Sequence, residues 1–219
     1  MAESVIYETE FNNMKIEVVE STYNRYLKFG TNLKQSSMNK KNPRKLQLKY
    51  LKEMAKAFEY TQKPKNVLVL GLGGGTFPNF IHENYSDVII DTVDDIQELK
   101  DIAHKYFELP VSDRLNVIIQ DAKDYILTTN KKYDIIFEDL FKNSLTKPVF
   151  VEENNGSTFD DSLKKILNDD GVIAFNYMVH ERNYTKYMNR LNSSYTTVVE
   201  QFKPKLGWYG YNHIAFCKK

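Results

Sequence analysis

The spacing of hydrophobic and polar positions divides this chain into two regions. In residues 15–20 Ile16 and Val18 alternate with Lys15, Glu17 and Glu20, and the runs 6–11 and 26–29 are similarly short and mixed, the last closing at Gly30. Alternation of this kind predicts half-buried strands, hence a small antiparallel sheet at the start of the chain. Residues 31–41 (TNLKQSSMNKK) follow neither the strand nor the helix period and are expected to form a loop. Asn42 before Pro43 predicts a helix start, with Asn as N-cap and Pro at the first helical position. Leu48, Leu51, Ala55 and Phe58 then recur at helical spacing, which predicts a helix of about four turns buried along that stripe.

Beyond Pro64 the pattern becomes apolar runs alternating with helical periods. Residues 67–70, 88–93, 115–119, 135–137 and 172–175 are nearly continuous in Val, Ile, Leu and Phe, as strands covered on both faces must be. Between and after them, helices are expected at 77–83, 96–107, near Tyr125, at 159–167 and at 184–191. Two strand-like segments, 195–202 and 213–217, flank KPKLGWYGYN and predict a closing hairpin. The expected architecture is therefore α/β, a mostly parallel Rossmann-like sheet with an antiparallel closing hairpin. It divides into an N-terminal β extension and loop over 1–42 and a Rossmann-like domain over 43–219.

Composition narrows the partners. The 219 residues carry 30 Lys and Arg against 29 Asp and Glu, a net charge of +1, which argues against a strongly basic nucleic-acid binder. Lys40, Lys41, Arg44, Lys45, Lys49, Lys52 and Lys56 cluster near the predicted helix; a solvated face is the reading preferred over a nucleic-acid patch. The single cysteine, Cys217, lies in an apolar strand and is read as a buried small residue, and no secretory leader is recognisable at MAESVIYETEFNN. No apolar run approaches the roughly 20 residues of a membrane helix. A cytoplasmic protein without membrane spans is expected. His82, His104, His180 and His213 are scattered without ligand spacing, so no metal site is expected.

The candidate chemistry starts at VLVLGLGGGT, a buried strand running into Gly71, Gly73, Gly74 and Gly75 and then a helix. Glycines there allow positive φ and close approach of a ligand to the backbone, and the helix start offers unpaired N–H groups. The spacing fits G-x-G-x-G better than the dinucleotide pattern, which lowers the case for NAD. Asp94 ends the second strand run 23 positions after Gly71, where a carboxylate accepts the hydroxyls of a ribose. Asp95 beside it is read as the cap of the helix beginning at Ile96. Asp121 follows the third run and suits either an exocyclic amine such as adenine N6 or the cap of the next helix, two compatible roles. Asp139 ends the fourth run, in YDIIFED. Carboxyl ends of parallel strands form the ligand crevice, so the glycines, Asp94, Asp121 and Asp139 are expected to share one cleft. Trp208, Tyr209 and Tyr211 are read as hairpin packing, and residues 143–157, which follow Asp139, as a connecting loop that alternatively forms a lid.

The segments VLVLGLGGGTF, DTVDDIQELKDIAHKYFEL, SDRLNVIIQDAKDYI and YDIIFEDLF together resemble the spermidine synthase-like polyamine aminopropyltransferases, relatives of class I S-adenosylmethionine-dependent methyltransferases. The resemblance implies a class I methyltransferase-type sheet. It implies that Gly71, Gly73, Gly74 and Gly75 underlie a sulfonium nucleoside, S-adenosylmethionine or its decarboxylated form. Asp94 would hold its ribose, Asp121 its adenine, and Asp139 would be the base toward an amine acceptor. Gln35 resembles the family's gatekeeping glutamine, and Tyr50 stands where an aromatic faces the nucleoside. A homodimer is implied as well. Val69 agrees with aminopropyltransferases, because many methyltransferases carry an acid two residues before the first glycine.

Two positions depart from the family. Spermidine synthases usually carry Asp at the position of Gly74 and a second carboxylate at that of Lys142. Each lost acid removes a charge-assisted hydrogen bond to a cationic substrate, worth about 1.5–3 kcal/mol. Gly74 also removes repulsion toward the carboxylate of ordinary S-adenosylmethionine. The expected function is aminopropyl transfer to an amine; methyl transfer, or nucleoside binding without catalysis, are the alternatives.

Overall fold

The computed structural model describes residues 3–140, 142–144, 147–149, 157–179, 181–202 and 211–219. Strands β1 (Ser4–Phe11), β2 (Met14–Glu20), β3 (Asn24–Phe29) and β4 (Lys34–Asn39) form an antiparallel sheet in sequence order. The fourth strand corrects the expected loop at 31–41. Its sequence, KQSSMN, lacks the strand period because Ser36 and Ser37 are buried polar residues. The register also slips between Leu27 and Lys28, so Gln35 has no partner opposite it in β3.

Helix α1 (Lys49–Met54), followed by a 3-10 turn at Ala55–Glu59, starts later than expected. Asn42 and Pro43 instead open a β-turn: Lys45 N–H donates to Asn42 O at 3.2 Å, and Asn42 N–H donates to Asn39 Oδ1 at 3.0 Å. Proline suits the second position of such a turn as well as it suits a helix start. Of the expected stripe Leu51 is buried while Leu48, Ala55 and Phe58 are half-buried against the core, and Met54 and Ala57, outside that stripe, are buried.

From there β5 (Asn66–Leu70), α2 (Thr76–Asn84), β6 (Ile89–Asp94), α3 (Gln97–Tyr106), β7 (Leu115–Ile119), α4 (Ala122–Thr128) and β8 (Tyr133–Glu138) alternate. After two short paired strands, β9 (Lys142–Ser144) and β10 (Lys147–Val149), come α5 (Ser157–Ile166), β11 (Leu167–Val179), α6 (Glu181–Ser194), β12 (Thr197–Phe202) and β13 (Tyr211–Lys218). The main sheet runs β12-β13-β11-β8-β5-β6-β7. From β11 to β7 every neighbouring pair is parallel, and β13 is antiparallel to both β11 and β12. The parallel sheet and its closing hairpin are as expected from the sequence.

Side chains alternate across this sheet between two cores. Val67, Val69, Ile90, Ile135, Phe137, Val172, Ala174 and Ile214 point to one face, and Leu68, Leu70, Val93, Ile136, Ile173, Phe175 and Ala215 to the other. Ile16, Val18, Leu27 and Met38 of the small sheet belong to the first core, so the extension shares a core with the main sheet. Among the described residues no helix is long and apolar enough to cross a membrane.

Candidate active site

The site lies along the carboxyl edge of four adjacent parallel strands, β8, β5, β6 and β7, and main-chain bonds fix the order of its parts. Asp139 N–H donates to Leu70 O at 3.0 Å, Gly71 N–H to Val93 O at 2.8 Å, and Gln120 N–H to Asp94 O at 3.0 Å. The structure thus sets Asp139, the glycine turn, Asp94 and Asp121 side by side on one edge, where the topology of open α/β sheets puts ligands.

Three of the four glycines adopt positive φ. Gly71 has φ +102°, and a Cβ on it would stand 2.6 Å from the carbonyl oxygen of Asp139; Gly73 and Gly75 have φ of +52° and +72°. Gly75 is the cap of α2 in the left-handed conformation. Gly74 is different, with no positive φ: its hypothetical Cβ would lie 3.0 Å from Ser36 Cβ and 3.1 Å from the Phe107 ring. Its N–H donates to Ser36 Oγ at 2.8 Å. The small sheet therefore reaches the glycine turn through Ser36, a residue the sequence reading passed over because a serine in a polar stretch carries no period.

Asp94 braces the turn from β6. Its Oδ2 accepts from Leu72 N–H at 2.8 Å and its Oδ1 from Ile96 N–H at 3.1 Å. Burial raises its pKa, against the pull of these N–H donors. Asp95 is exposed, and α3 starts at Gln97 with no side-chain cap. The expected cap at Asp95 is thus corrected, since Asp94 takes the Ile96 N–H instead. Asp121 caps α4, its Oδ1 accepting from Lys123 N–H at 2.8 Å and Asp124 N–H at 3.2 Å.

Asp139 is held from two other elements. Tyr50 OH, from α1, donates to its Oδ2 at 3.2 Å, and Asn176 Nδ2, from β11, donates to its Oδ1 at 2.6 Å. Asn212 Nδ2, from β13, donates in turn to Asn176 Oδ1 at 2.9 Å. Burial pushes the Asp139 carboxyl up to about 6, with Asn176 and Tyr50 pulling the other way. Burial, then the Asp139 charge, keep Tyr50 protonated. Tyr50 was expected beside the nucleoside; the structure joins it to the carboxylate. Asn176 and Asn212 were missed, because an amide near the end of an apolar strand gives no spacing signal.

On the opposite face of β8, Glu138 is buried and pushed up to about 8, chiefly by burial and against the attraction of Arg190. Arg190 also pairs with the fully buried Asp160, Nε to Oδ2 at 3.3 Å. Gln35 is half-buried in β4. The side chains of Lys142 and Tyr211, residues Trp208 and Tyr209, His180, and most of 143–157 lie outside the described residues. His82 Nε2 lies 3.0 Å from Ser112 Oγ, His104 Nδ1 lies 2.8 Å from Leu109 O, and His213 is buried. Cys217 is buried, and burial pushes its thiol up, the state of an inert thiol.

Comparison with known proteins supplies the ancestry. A polyamine aminopropyltransferase of Chromobacterium violaceum is 29% identical over 178 residues, which are 81% of this chain and 67% of that protein. For one from Neisseria meningitidis serogroup A the identity is 30% over 77% of this chain, and the match spans 64% of that protein. The chain thus spans about two thirds of the length of these relatives. The human eEF1A lysine and N-terminal methyltransferase is 32% identical over 130 residues, 54% of this chain and 18% of that protein. Among solved structures, a probable spermidine synthase from Corynebacterium glutamicum superposes with TM-score 0.83 over 98% of this chain and 80% of its own, at 17% identity. Human methyltransferase-like protein 13 in complex with SAH gives 0.68 over 78% of this chain and 82% of its own, at 24% identity. The sequence profile of the Spermine/spermidine synthase domain matches residues 49–216, and the chain belongs to that family.

Proposed function

We propose that this chain is a spermidine synthase-like transferase that binds a sulfonium nucleoside of the S-adenosylmethionine type and transfers an aminopropyl group to an amine. The observation that carries the reading is Asp139, a half-buried carboxylate beside the glycine turn, oriented by two neutral donors. The donor is the substrate. Its nucleoside would lie over Gly71, Gly73, Gly74 and Gly75, with its ribose on Asp94 and its adenine at Asp121. On the family likeness, Gln35 would be the gatekeeping glutamine and Tyr50 would face the nucleoside. That Asp94 and Asp121 each accept backbone N–H groups is compatible with these roles, because an ionised carboxylate has about four acceptor positions.

The chemistry asks little of the protein beyond alignment. The amine lone pair forms the new N–C bond to the propyl carbon, the C–S bond breaks, and its electron pair stays on sulfur, which leaves as a neutral thioether. No general acid is needed. An alkylammonium near pKa 10.4 is almost fully protonated at neutral pH, so a base must take its proton. A carboxyl pushed up to about 6 is ionised at pH 7 and more basic than an ordinary aspartate.

A second reading, methyl transfer from intact S-adenosylmethionine, is favoured by one observation. Ser36 and Phe107 crowd the position of Gly74, where the family usually carries an acid. A donor with its carboxylate meets no repulsion from that position. Calorimetric titration with S-adenosylmethionine, its decarboxylated form and methylthioadenosine separates the readings. Preference for the decarboxylated form, with aminopropylated product, supports the first; preference for the intact form supports methylation; binding of none of them refutes both. We further propose a cytoplasmic homodimer on the family likeness alone, which light scattering tests for the oligomer.

A further inference from the structure

The register of the main sheet explains how the Asn176 amide is held. In the parallel β8–β11 pair Glu138 stands opposite Phe175, so the next residues, Asp139 and Asn176, lie side by side and face away from Glu138. In the antiparallel β11–β13 pair Met178 stands opposite Asn212 and Asn176 opposite Ile214, which puts Asn212 on the diagonal of Asn176 and on the same face. Asp139, Asn176 and Asn212 thus form a line across three strands, joined by hydrogen bonds of 2.6 and 2.9 Å.

A carboxamide has a donor end and an acceptor end of nearly the same shape, so turning it over reverses its polarity at little steric cost. Beside an anion only the donor end is favourable. Asn212 presents an N–H to Asn176, and only the oxygen of that amide can accept it. We propose that Asn212 is a positioning residue of the active site, which locks the Asn176 amide with its N–H toward Asp139 and so keeps Asp139 ionised and aimed. The inference rests on Asp139 being the base.

Turned over, Asn176 would set an acceptor oxygen against Asp139 Oδ1, and only a proton on Asp139 would relieve that contact. Burial already raises this carboxyl, and Asn176 is the larger of the two donors that hold it down. The other groups facing it are few among the described residues. Tyr50 on α1 is held protonated. Glu138 is adjacent on β8 but faces Arg190 and Asp160 on the opposite side of the sheet. The described neighbours from β11 and β13 are the two uncharged amides.

Asn212→Leu removes the donor at similar size and without new charge. The acid limb of kcat/KM should move up by about one pH unit, a tenfold loss on that limb, while KM for the donor nucleoside stays unchanged. Asn212→Gln, which can donate again, should restore the limb. Carbon-13 NMR of the Asp139 side-chain carboxyl, assigned by its loss in Asp139→Asn, reads the same shift without turnover. Should Asn212→Leu fail to fold, Asn212→Ala replaces it, which also removes the donor without adding charge, and must move the resonance in the same direction. An Asp139 titration that stays put in either folded variant overturns the lock. A titration that moves in a protein whose wild type transfers neither group leaves the lock standing and overturns the transferase reading.

Discussion

Replacing Gly71 by alanine perturbs the glycine turn and the proposed base together. Its φ of +102° lies beyond the left-handed well that other residues sometimes occupy, and the added Cβ would stand 2.6 Å from the Asp139 carbonyl oxygen. Neither side yields easily, because Asp139 N–H is bonded to Leu70 O at 3.0 Å and Gly71 N–H to Val93 O at 2.8 Å. Left-handed backbone costs an L residue roughly 1–2 kcal/mol, and overpacking a tight contact costs typically about 1–3 kcal/mol. The expected loss of stability is therefore about 3 kcal/mol, a large share of the roughly 5–15 kcal/mol of an ordinary domain. Because the clash is with Asp139 itself, protein that still folds must displace the proposed base, and a misplacement of about 1 Å costs on the order of 10²-fold in rate. Gly73→Ala should be milder. Its φ of +52° falls within the left-handed well, and its Cβ meets Ser36 Oγ at 2.9 Å, a hydroxyl that can turn. Gly74→Ala needs no unusual backbone and meets only side chains, at 3.0 and 3.1 Å. Urea denaturation, calorimetric donor titration and turnover of the three variants give the ranking. Gly71→Ala with wild-type stability and wild-type kcat would refute the coupling between turn and base.

Asp139→Asn should keep donor affinity within about twofold and lower turnover by 10²–10⁴, the range expected for losing a general base; unchanged turnover removes Asp139 from the mechanism. In the wild type, kcat/KM should fall as pH drops through about 6, where Asp139 takes up its proton, and a flat profile from pH 5 to 8 contradicts this. Glu138→Gln should stabilise the fold. An acid whose folded pKa lies at about 8, above its ordinary value of 4.5, binds its proton more tightly in the native state, so its contribution to stability is present at low pH and lost as pH rises toward 8. The gain of the Gln variant should accordingly grow by up to ~1.4 kcal/mol per pH unit between about pH 5 and 8 and then level off; a gain that shrinks with pH reverses the assignment. Asp121→Ala should cost about 1 kcal/mol by uncapping α4. A loss of donor affinity beyond that seen with Asp121→Ser, which retains a capping oxygen, reports the proposed adenine contact.

The parts of this molecule that were legible in its sequence are those where one residue type has one physical use. Near-continuous runs of Val, Ile and Leu point to strands covered on both faces, and β5 buries Val67, Leu68, Val69 and Leu70, the residues the pattern named. Glycines after such a strand announce a turn, and three of them do adopt positive φ. Misreadings arise where a residue has two uses of similar energy. Asn42-Pro43 suits both a helix start and a β-turn, and the hydrogen bond from Asn42 N–H to Asn39 Oδ1 selects the turn. Asp95 has the type and place of a helix cap, but α3 starts at Gln97 with no side-chain cap, and the Ile96 N–H goes to Asp94 instead. Polar residues that serve the site from within the sheet leave no pattern at all. Ser36 reads as loop until β3 pairs with its strand and its hydroxyl meets Gly74 N–H. Asn176 and Asn212 interrupt apolar strands at places where only the register of three neighbouring strands reveals a line leading to Asp139. Both amides are half-buried, and the hydrogen bonds that join them end on Asp139, the proposed base. The positions hardest to read from the sequence are thus those whose partners lie on neighbouring strands, because no spacing along a single strand records them.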